Sequence, residues 1–372
     1  MLFRSVQNIF QKQAGIKDFK VDKVIPADPV INYRNKMEFT FSKNRWILDD
    51  EPDKVKSDFA LGMHIPKRWD KILDINTCYL MPEVGSKIIN FVRDLAKKSK
   101  LKPYDQRSHI GFLRYLALRY GENTKELMVN IVTSYEDLDT LVPFVQSLVD
   151  EFPEVTSVVN NINTRKADVS FGEREILLFG KPILNEKLKE LNFQISANSF
   201  FQTNSFMAEK LYDVILDSAS LNGDEIVYDL YCGAGSISLF LAKKAKFVYG
   251  FDIIVSSIEN AEQNAMINNI QNIDFKVANL DSFFYTNKSN KYPSADVVIV
   301  DPPRAGMHKK MTEYLPKIGA KKIIYVSCNP STQARDSQIL KSNGYKLQKL
   351  TVVDMFPHTP HVETVGVFKK SK

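Results

Sequence analysis

Short apolar runs alternate with helical segments along the second half of the chain. The runs are rich in β-branched residues and predict buried strands, and the segments between them have apolar residues at helical spacing. The predicted strands are 226–230, 247–251, 274–277, 297–300, 323–326, 345–352 and 362–368. The predicted helices are 205–218, 236–244, 255–268, 308–318 and 331–343. This alternation predicts an α/β domain with a mainly parallel, doubly wound sheet over residues 193–372.

Residues 1–192 have a different pattern. Helical spacing is present at 1–15, 81–100 and 141–152, and the remaining runs alternate polar and apolar positions, the period of half-buried strands. These strands lie at 33–41, 112–120, 127–132, 155–162 and 176–179. We therefore expect a separate α+β domain over residues 1–192, without internal repeats.

Composition is that of an ordinary soluble globular protein, with 44% apolar and 25% charged residues. No apolar run approaches the length of a membrane span, so we expect no membrane partner. The three cysteines, Cys78, Cys232 and Cys328, are far apart and odd in number. This pattern argues against a disulfide framework and against a metal or iron–sulfur site, and it favours a reducing, cytoplasmic location.

Positive charge is concentrated in the first hundred residues, which hold 19 Lys and Arg against 13 Asp and Glu. The remaining residues contain equal numbers of basic and acidic side chains. A local surplus suits a surface that faces a polyanion such as RNA. Arg34 and Lys36 are predicted RNA contacts, and His64, Lys67 and Arg68 add cations beside aromatic residues. A solvated lysine face is the alternative interpretation.

A glycine-rich turn follows the first strand of the C-terminal domain. Gly233 and Gly235 open a predicted helix, and Asp252 ends the next strand, where a carboxylate can accept both hydroxyls of a ribose. The dinucleotide pattern requires a glycine or alanine where this chain has Ser238. The order of these features resembles the class I methyltransferases that bind S-adenosylmethionine. A nicotinamide-dependent oxidoreductase, or a tight turn without a ligand, remains as an alternative.

The strand 323–326 ends abruptly in Ser-Cys-Asn-Pro. Cys328 therefore lies at the carboxyl end of a strand, where open α/β sheets bind ligands, and its thiolate could act as a nucleophile. A small buried hydrophobe is the alternative role. The preceding strand ends in Asp301-Pro302-Pro303-Arg304, in which two prolines form a rigid lip and Arg304 can donate to a base carbonyl or a phosphate.

Four ordered motifs closely resemble the RNA uracil-5-methyltransferase family, which contains tRNA (uracil-54) and 23S rRNA (uracil-1939) enzymes. The motifs are 199–204, 301–306, 327–336 and 354–363. The resemblance implies a Rossmann-like class I methyltransferase domain, Cys328 as nucleophile and Glu363 as base. It also implies Gln202, Tyr231, Asp252 and Asp301 at the cofactor. The complete predicted cofactor set adds Gly233, Gly235 and Ser236 of the turn and Asn279 after the third strand.

The resemblance implies RNA as substrate, either 23S rRNA or tRNA, with Arg304, Arg34 and Lys36 as contacts. The chain begins too late for the RNA-binding barrel of the rRNA enzymes, and only Cys78 could match their cluster cysteines, so we expect no iron–sulfur cluster. We expect a monomer. A catalytically silent RNA-binding module is a further alternative, although binding alone requires neither Cys328 nor Glu363.

Overall fold

The computed structural model describes residues 2–16, 19–52, 58–167, 169–283 and 292–371. The helices are α1 (Leu2–Gln13), α2 (Glu83–Lys98), α3 (Leu138–Glu151), α4 (Ser205–Ala219), α5 (Ser236–Ala242), α6 (Val255–Ile267), α7 (Leu280–Phe283), α8 (Lys309–Tyr314) and α9 (Pro330–Ser342), and Leu315–Ile318 form a 3₁₀ turn. The strands up to residue 200 are β1 (Lys23–Ile25), β2 (Lys36–Ser42), β3 (Arg45–Trp46), β4 (Ala60–Ile65), β5 (Arg68–Asp74), β6 (Leu113–Tyr120), β7 (Leu127–Thr133), β8 (Val155–Ile162), β9 (Arg174–Gly180), β10 (Ile183–Leu188) and β11 (Leu191–Ser196). The later strands are β12 (Ile226–Leu230), β13 (Phe247–Asp252), β14 (Ile273–Val277), β15 (Val297–Val300), β16 (Lys322–Ser327), β17 (Tyr345–Val353) and β18 (Glu363–Lys370).

The described chain forms two compact units. The larger unit contains the residues up to Val30, Leu188–Phe193 and the residues from Ser199 onward, and the central unit contains Ile31–Lys187 and Gln194–Asn198. Strands β10 and β11 pair in a separate two-stranded sheet. Among the described residues, no helix combines the length and apolar character needed to cross a bilayer.

The larger unit is built on an eight-stranded sheet in the order β1-β17-β18-β16-β15-β12-β13-β14. Strand β18 runs antiparallel to both of its neighbours, and the other pairings are parallel. The β-branched runs of β15 and β16 are almost completely buried, as expected for strands covered on both faces. The predicted fold class, a mainly parallel doubly wound sheet, is thus confirmed.

The first thirty residues belong to the larger unit, whereas the sequence places them with residues 31–192. Strand β1 pairs in parallel with β17, with Lys23 opposite Thr351. The apolar face of α1, including Val6 and Phe10, packs against Ala334 of α9 in one hydrophobic cluster. A three-residue strand leaves almost no periodic pattern, and an amphipathic helix does not reveal its partner, so the sequence could not indicate this placement.

The central unit has an eight-stranded sheet in the order β3-β5-β4-β2-β6-β7-β8-β9. Apolar residues on one side of β2, β6 and β7, such as Phe39, Leu116 and Val129, share a core with α2 and α3. The strands predicted at 112–120 and 127–132 are present as β6 and β7, and they pair as an antiparallel hairpin with Tyr120 opposite Leu127. These strands alternate faces, and the face opposite this core is rich in polar side chains.

Candidate active site

Cys328 occupies the short connection between β16 and α9, at the carboxyl end of the parallel sheet. The side chain of Asn329 caps α9 by accepting a hydrogen bond from the Ser331 amide at 3.1 Å, and Pro330 is the first helical residue. The Ser327 hydroxyl accepts from the Asn329 amide at 3.1 Å. The sequence Ser-Cys-Asn-Pro therefore fixes a strand end, a half-buried thiol and a helix start in consecutive residues.

The pairing of β16 with β18 brings Glu363 to the same edge. Ser327 lies opposite Thr364 in this antiparallel pair, so Cys328 and Glu363 are the next residues on either side of the last pair. The Thr364 hydroxyl lies 3.1 Å from the Ser327 carbonyl oxygen, to which it can donate. Glu363 is only 5% exposed. The structure thus places a thiol and a buried carboxyl side by side.

Burial and neighbouring negative charge raise the pKa values of acidic groups at this edge. Burial raises the pKa of Glu363 well above its ordinary value, with Asp301 adding to the effect. Burial also raises the pKa of Asp301 to about 7. The pKa of Cys328 is raised to about 11 by burial and by the negative charges of Glu363 and Asp301, whereas Arg304 opposes the shift. Four predicted site residues are therefore within electrostatic reach of one another.

Helix α9 also fixes the loop that follows β15. The Asp336 carboxylate accepts hydrogen bonds from the Met307 amide at 3.1 Å and from the Tyr325 hydroxyl at 2.6 Å. The Asn329 side chain donates to the Arg304 carbonyl at 3.2 Å. These contacts explain why the Asp-Pro-Pro-Arg motif and the 327–336 motif occur together, since each stabilises the conformation of the other.

The glycine turn after β12 has the backbone that its sequence predicts. Tyr231, Gly233 and Gly235 have φ angles of 68°, 54° and 81°, the left-handed region that favours glycine. A Cβ atom on Gly235 would lie 2.8 Å from the ring of Phe275, so an added side chain would force this ring to shift. The Asp252 carboxylate accepts from the Gly233 amide at 3.0 Å and thereby ties the turn to the end of β13.

This turn also has room for a ligand. A Cβ atom on Gly233 would meet no described atom within 4 Å. Beneath the turn, Asp229 is completely buried; one oxygen accepts from the Ser238 hydroxyl, and the other has no hydrogen-bond partner in the described part of the chain. Burial raises the pKa of Asp229 to about 7. The open backbone surface at Gly233 suits a ligand that lies against the turn. Asp229 was not predicted as a site residue, and no structural role was predicted for Ser238.

The other predicted cofactor residues lie on the same unit. Gln202 is half-buried in the loop before α4, Ser236 begins α5, and Asn279 is exposed after β14, where its side chain accepts from the Asp281 amide. Asn204 was not predicted as a site residue. Its buried side chain caps α4 and donates to the Met355 carbonyl at 2.9 Å, which links the 199–204 and 354–363 motifs.

Arg34 and Lys36 lie in the central unit, and the remaining predicted site residues lie in the larger unit. Both side chains are half-buried. Lys36 forms an ion pair with Glu38, and burial lowers its pKa, with Arg119 on the neighbouring strand adding to the effect. Both side chains are thus only partly solvated, and their role in RNA binding stays a prediction.

The chain is similar to a protein family, to individual proteins and to a solved structure. A family model described as tRNA (uracil-5-)-methyltransferase matches residues 169–372. Uncharacterized RNA methyltransferases of Chlorobaculum tepidum and Bacteroides thetaiotaomicron are each 40% identical to this chain; they align with 99% and 97% of it, and with 78% and 81% of their own lengths. The solved structure of the Pyrococcus abyssi tRNA (uracil-54, C5)-methyltransferase in complex with S-adenosyl-L-homocysteine is 32% identical, with a TM-score of 0.77 over 99% of this chain and 82% of that one. The resemblance inferred from the four ordered motifs is confirmed, and the chain belongs to the tRNA (uracil-5-)-methyltransferase family.

Proposed function

We propose that this S-adenosylmethionine-dependent RNA methyltransferase methylates carbon 5 of a uracil through a transient bond between Cys328 and carbon 6. Family membership supports the reaction class and the methyl donor. The observation that carries the proposed mechanism is the register of β16 and β18, which places Cys328 beside the buried Glu363. A thiol next to a carboxyl of raised pKa is a pairing suited to nucleophilic attack followed by proton removal.

The chemistry of uracil explains why both groups are needed. Carbon 5 is a weak nucleophile, and attack of the Cys328 thiolate on carbon 6 moves the electron pair of the double bond toward carbon 5 and the adjacent carbonyl. When bound, S-adenosylmethionine would supply an electrophilic methyl group and would leave as S-adenosylhomocysteine. Carbon 5 then carries both a methyl group and a proton, and Glu363 removes that proton. The electrons of the C–H bond restore the double bond as the sulfur–carbon bond breaks, which returns the thiolate.

The pKa values of the site match these roles. A carboxyl whose pKa is raised by burial is a stronger base once it is ionised, which suits Glu363 for removal of a carbon-bound proton. The same environment keeps Cys328 protonated in the absence of RNA, because its pKa is about 11. Arg304, which lowers the pKa of this thiol, is the group that favours the thiolate. The target base must leave its stack to reach these groups.

The glycine turn fits the methyl donor. Gly233 and Gly235 allow a close approach of the backbone, and Asp252 is placed to accept ribose hydroxyls. The proposed S-adenosylmethionine site also contains Gln202, Tyr231, Ser236, Asn279 and Asp301.

The RNA is a tRNA or 23S rRNA. The similarity to a tRNA (uracil-54, C5)-methyltransferase makes uridine 54 of tRNA the first candidate. Mass mapping of 5-methyluridine in both RNAs, from cells that lack this protein, decides between them. We further infer a monomer that works in the cytoplasm, where the free cysteines stay reduced. Light scattering of the purified protein tests the oligomeric state.

Two substitutions separate the two catalytic residues by the step that each controls. Cys328→Ala should abolish methylation and form no covalent species. Glu363→Gln retains the size of the side chain but removes the base, so RNA should remain joined to Cys328 and survive denaturing electrophoresis. The double variant is the matched control and should show no adduct. Calorimetric titration with S-adenosylmethionine should give similar affinities for all variants. Methylation by Cys328→Ala would refute the covalent mechanism, and normal turnover by Glu363→Gln would assign the base to another residue.

A further inference from the structure

The central unit contains a recess that the proposed reaction does not use. It is a shallow recess that opens to solvent. Its walls come from β2, β4, β5, β6 and the loop 104–107. The recess includes His64 and lies beside Arg68, two of the residues that the sequence analysis predicted to contact bases or phosphates.

Two carboxylates form one side of the recess. Asp105 is 6% exposed, and its hydrogen bonds and ion pair with described residues, from Ser108 and Lys43, all end on Oδ2. Burial alone would raise the pKa of Asp105, but Lys43 and Ser108 outweigh this effect and lower it to about 2. Asp70 accepts from Arg68 and Arg107, each at 3.2 Å, and its pKa is also lowered, chiefly by Arg68. Both groups are therefore ionised at neutral pH and can only accept hydrogen bonds.

The rim of the recess is positive. The side chains of Lys43, Arg68 and Arg107 are 51%, 49% and 65% exposed, and each is paired with Asp70 or Asp105. A phosphate is attracted to these cations but is repelled by the carboxylates deeper in the recess. This separation of charge favours a ligand with an anionic backbone and a neutral group that has N–H donors.

The aromatic wall is rigid. The Arg114 guanidinium lies 4.3 Å from the centre of the Tyr104 ring and donates to the carbonyls of Asn163 and Ala167 at 2.7 and 2.8 Å. The loop after Tyr104 closes at Gly111, whose Cβ atom would lie only 2.1 Å from the Pro103 carbonyl oxygen. A ring held in this way is a fixed wall against which a base can pack.

We propose that this recess holds one unstacked base of the substrate RNA, a base with an exocyclic amino group, while the neighbouring phosphates lie on the cationic rim. The proposal rests on the proposed function, because it takes RNA as the substrate. Adenine, cytosine and guanine present an amino group that can donate to Asp70 or to Oδ1 of Asp105. Uracil presents a single N–H between two carbonyl oxygens, and these oxygens are repelled by the carboxylates. The recess is thus a second point of sequence selection, distinct from the reacting uracil.

The test compares binding of fluorescein-labelled hexamers of cytidine, adenosine and uridine to the full chain by anisotropy. The cytidine and adenosine hexamers should bind roughly five- to tenfold more tightly than the uridine hexamer, as expected for one base contact. Asp70→Asn should reduce this preference to about twofold or less, because it replaces an acceptor by a group that also donates. Asp94→Asn, on the exposed side of α2, is the matched control and should retain the preference.

Arg107→Gln tests the rim separately. It should weaken binding of all three hexamers alike and reduce the slope of affinity against salt by about 0.7, the value of one phosphate contact on a single strand. Equal binding of the three hexamers by the unmodified protein would overturn the proposal, even if Asp70→Asn fails to fold. Free cytidine monophosphate that binds as tightly as the hexamer would also overturn it and indicate a nucleotide site. None of these measurements requires methylation, so failure of the covalent mechanism would be recognised independently through Cys328→Ala.

Discussion

The raised pKa of Cys328 predicts slow alkylation of this residue in the protein without RNA. With a pKa of about 11 instead of the ordinary 9.0, the thiolate fraction at pH 8 falls from about 9% to about 0.1%. Iodoacetamide should therefore modify Cys328 about a hundredfold more slowly than an unperturbed thiol. The rate should rise about tenfold per pH unit between pH 7 and 9.5 without reaching a plateau. Peptide mass mapping distinguishes Cys328 from Cys78 and Cys232, which are both buried.

Two substitutions should move this titration in opposite directions. Glu363→Gln removes a negative neighbour, so the pKa of Cys328 should fall and alkylation should accelerate. Arg304→Gln removes the cation that favours the thiolate, so the pKa should rise further. Lys309→Gln removes an exposed charge from α8 and serves as the control. A plateau at or below about pH 8.5 in the unmodified protein, or shifts of the same sign in both variants, would refute the electrostatic argument.

Three further predictions concern the cofactor turn and its supports. Asp252→Ala should weaken S-adenosylmethionine binding by roughly 1.5–3 kcal/mol per lost charge-assisted hydrogen bond, as measured by titration calorimetry. Gly235→Ala should lower the free energy of unfolding in urea by about 1–3 kcal/mol more than Gly319→Ala does. Both glycines have a φ of 81°, but only the Cβ atom added at position 235 would contact Phe275. Equal losses of unfolding free energy in the two variants would contradict this reasoning. Asn204→Ala should cost about 1–2 kcal/mol, since it removes a helix cap and a buried hydrogen bond, and an unchanged urea midpoint would refute that role.

The sequence predicted those features of the site that depend on consecutive residues. The apolar run before Cys328 and the proline after it were sufficient to predict a thiol at a strand end. The order of the motifs was sufficient to predict the family. The sequence pattern could not reveal that Glu363 lies next to Cys328, because this contact depends on the antiparallel insertion of β18 between β16 and β17. Strand order is set by long-range pairing, which no periodicity records.

The sequence also could not show which charged side chains are buried. Arg34 and Lys36 were predicted as RNA contacts from the local charge surplus, but a charge count does not show that Lys36 pairs with Glu38 and lies across from Arg119. Asp229 was missed for a related reason. A carboxylate inside a strand has no distinctive spacing, and its importance follows only from its complete burial and the hydrogen bond from Ser238.

The pairing of β1 with β17 has a consequence for synthesis on the ribosome. Asp22 and Leu350 exchange hydrogen bonds although 328 residues separate them. At roughly 5–20 residues per second, the first strand waits about 15–65 s for its partner to be translated. During that interval the apolar face of α1, which includes Val6 and Phe10, has not yet met α9. The nascent chain therefore leaves the apolar face of this segment uncovered until α9 has been translated, which makes the segment a suitable binding site for chaperones that act on emerging polypeptides.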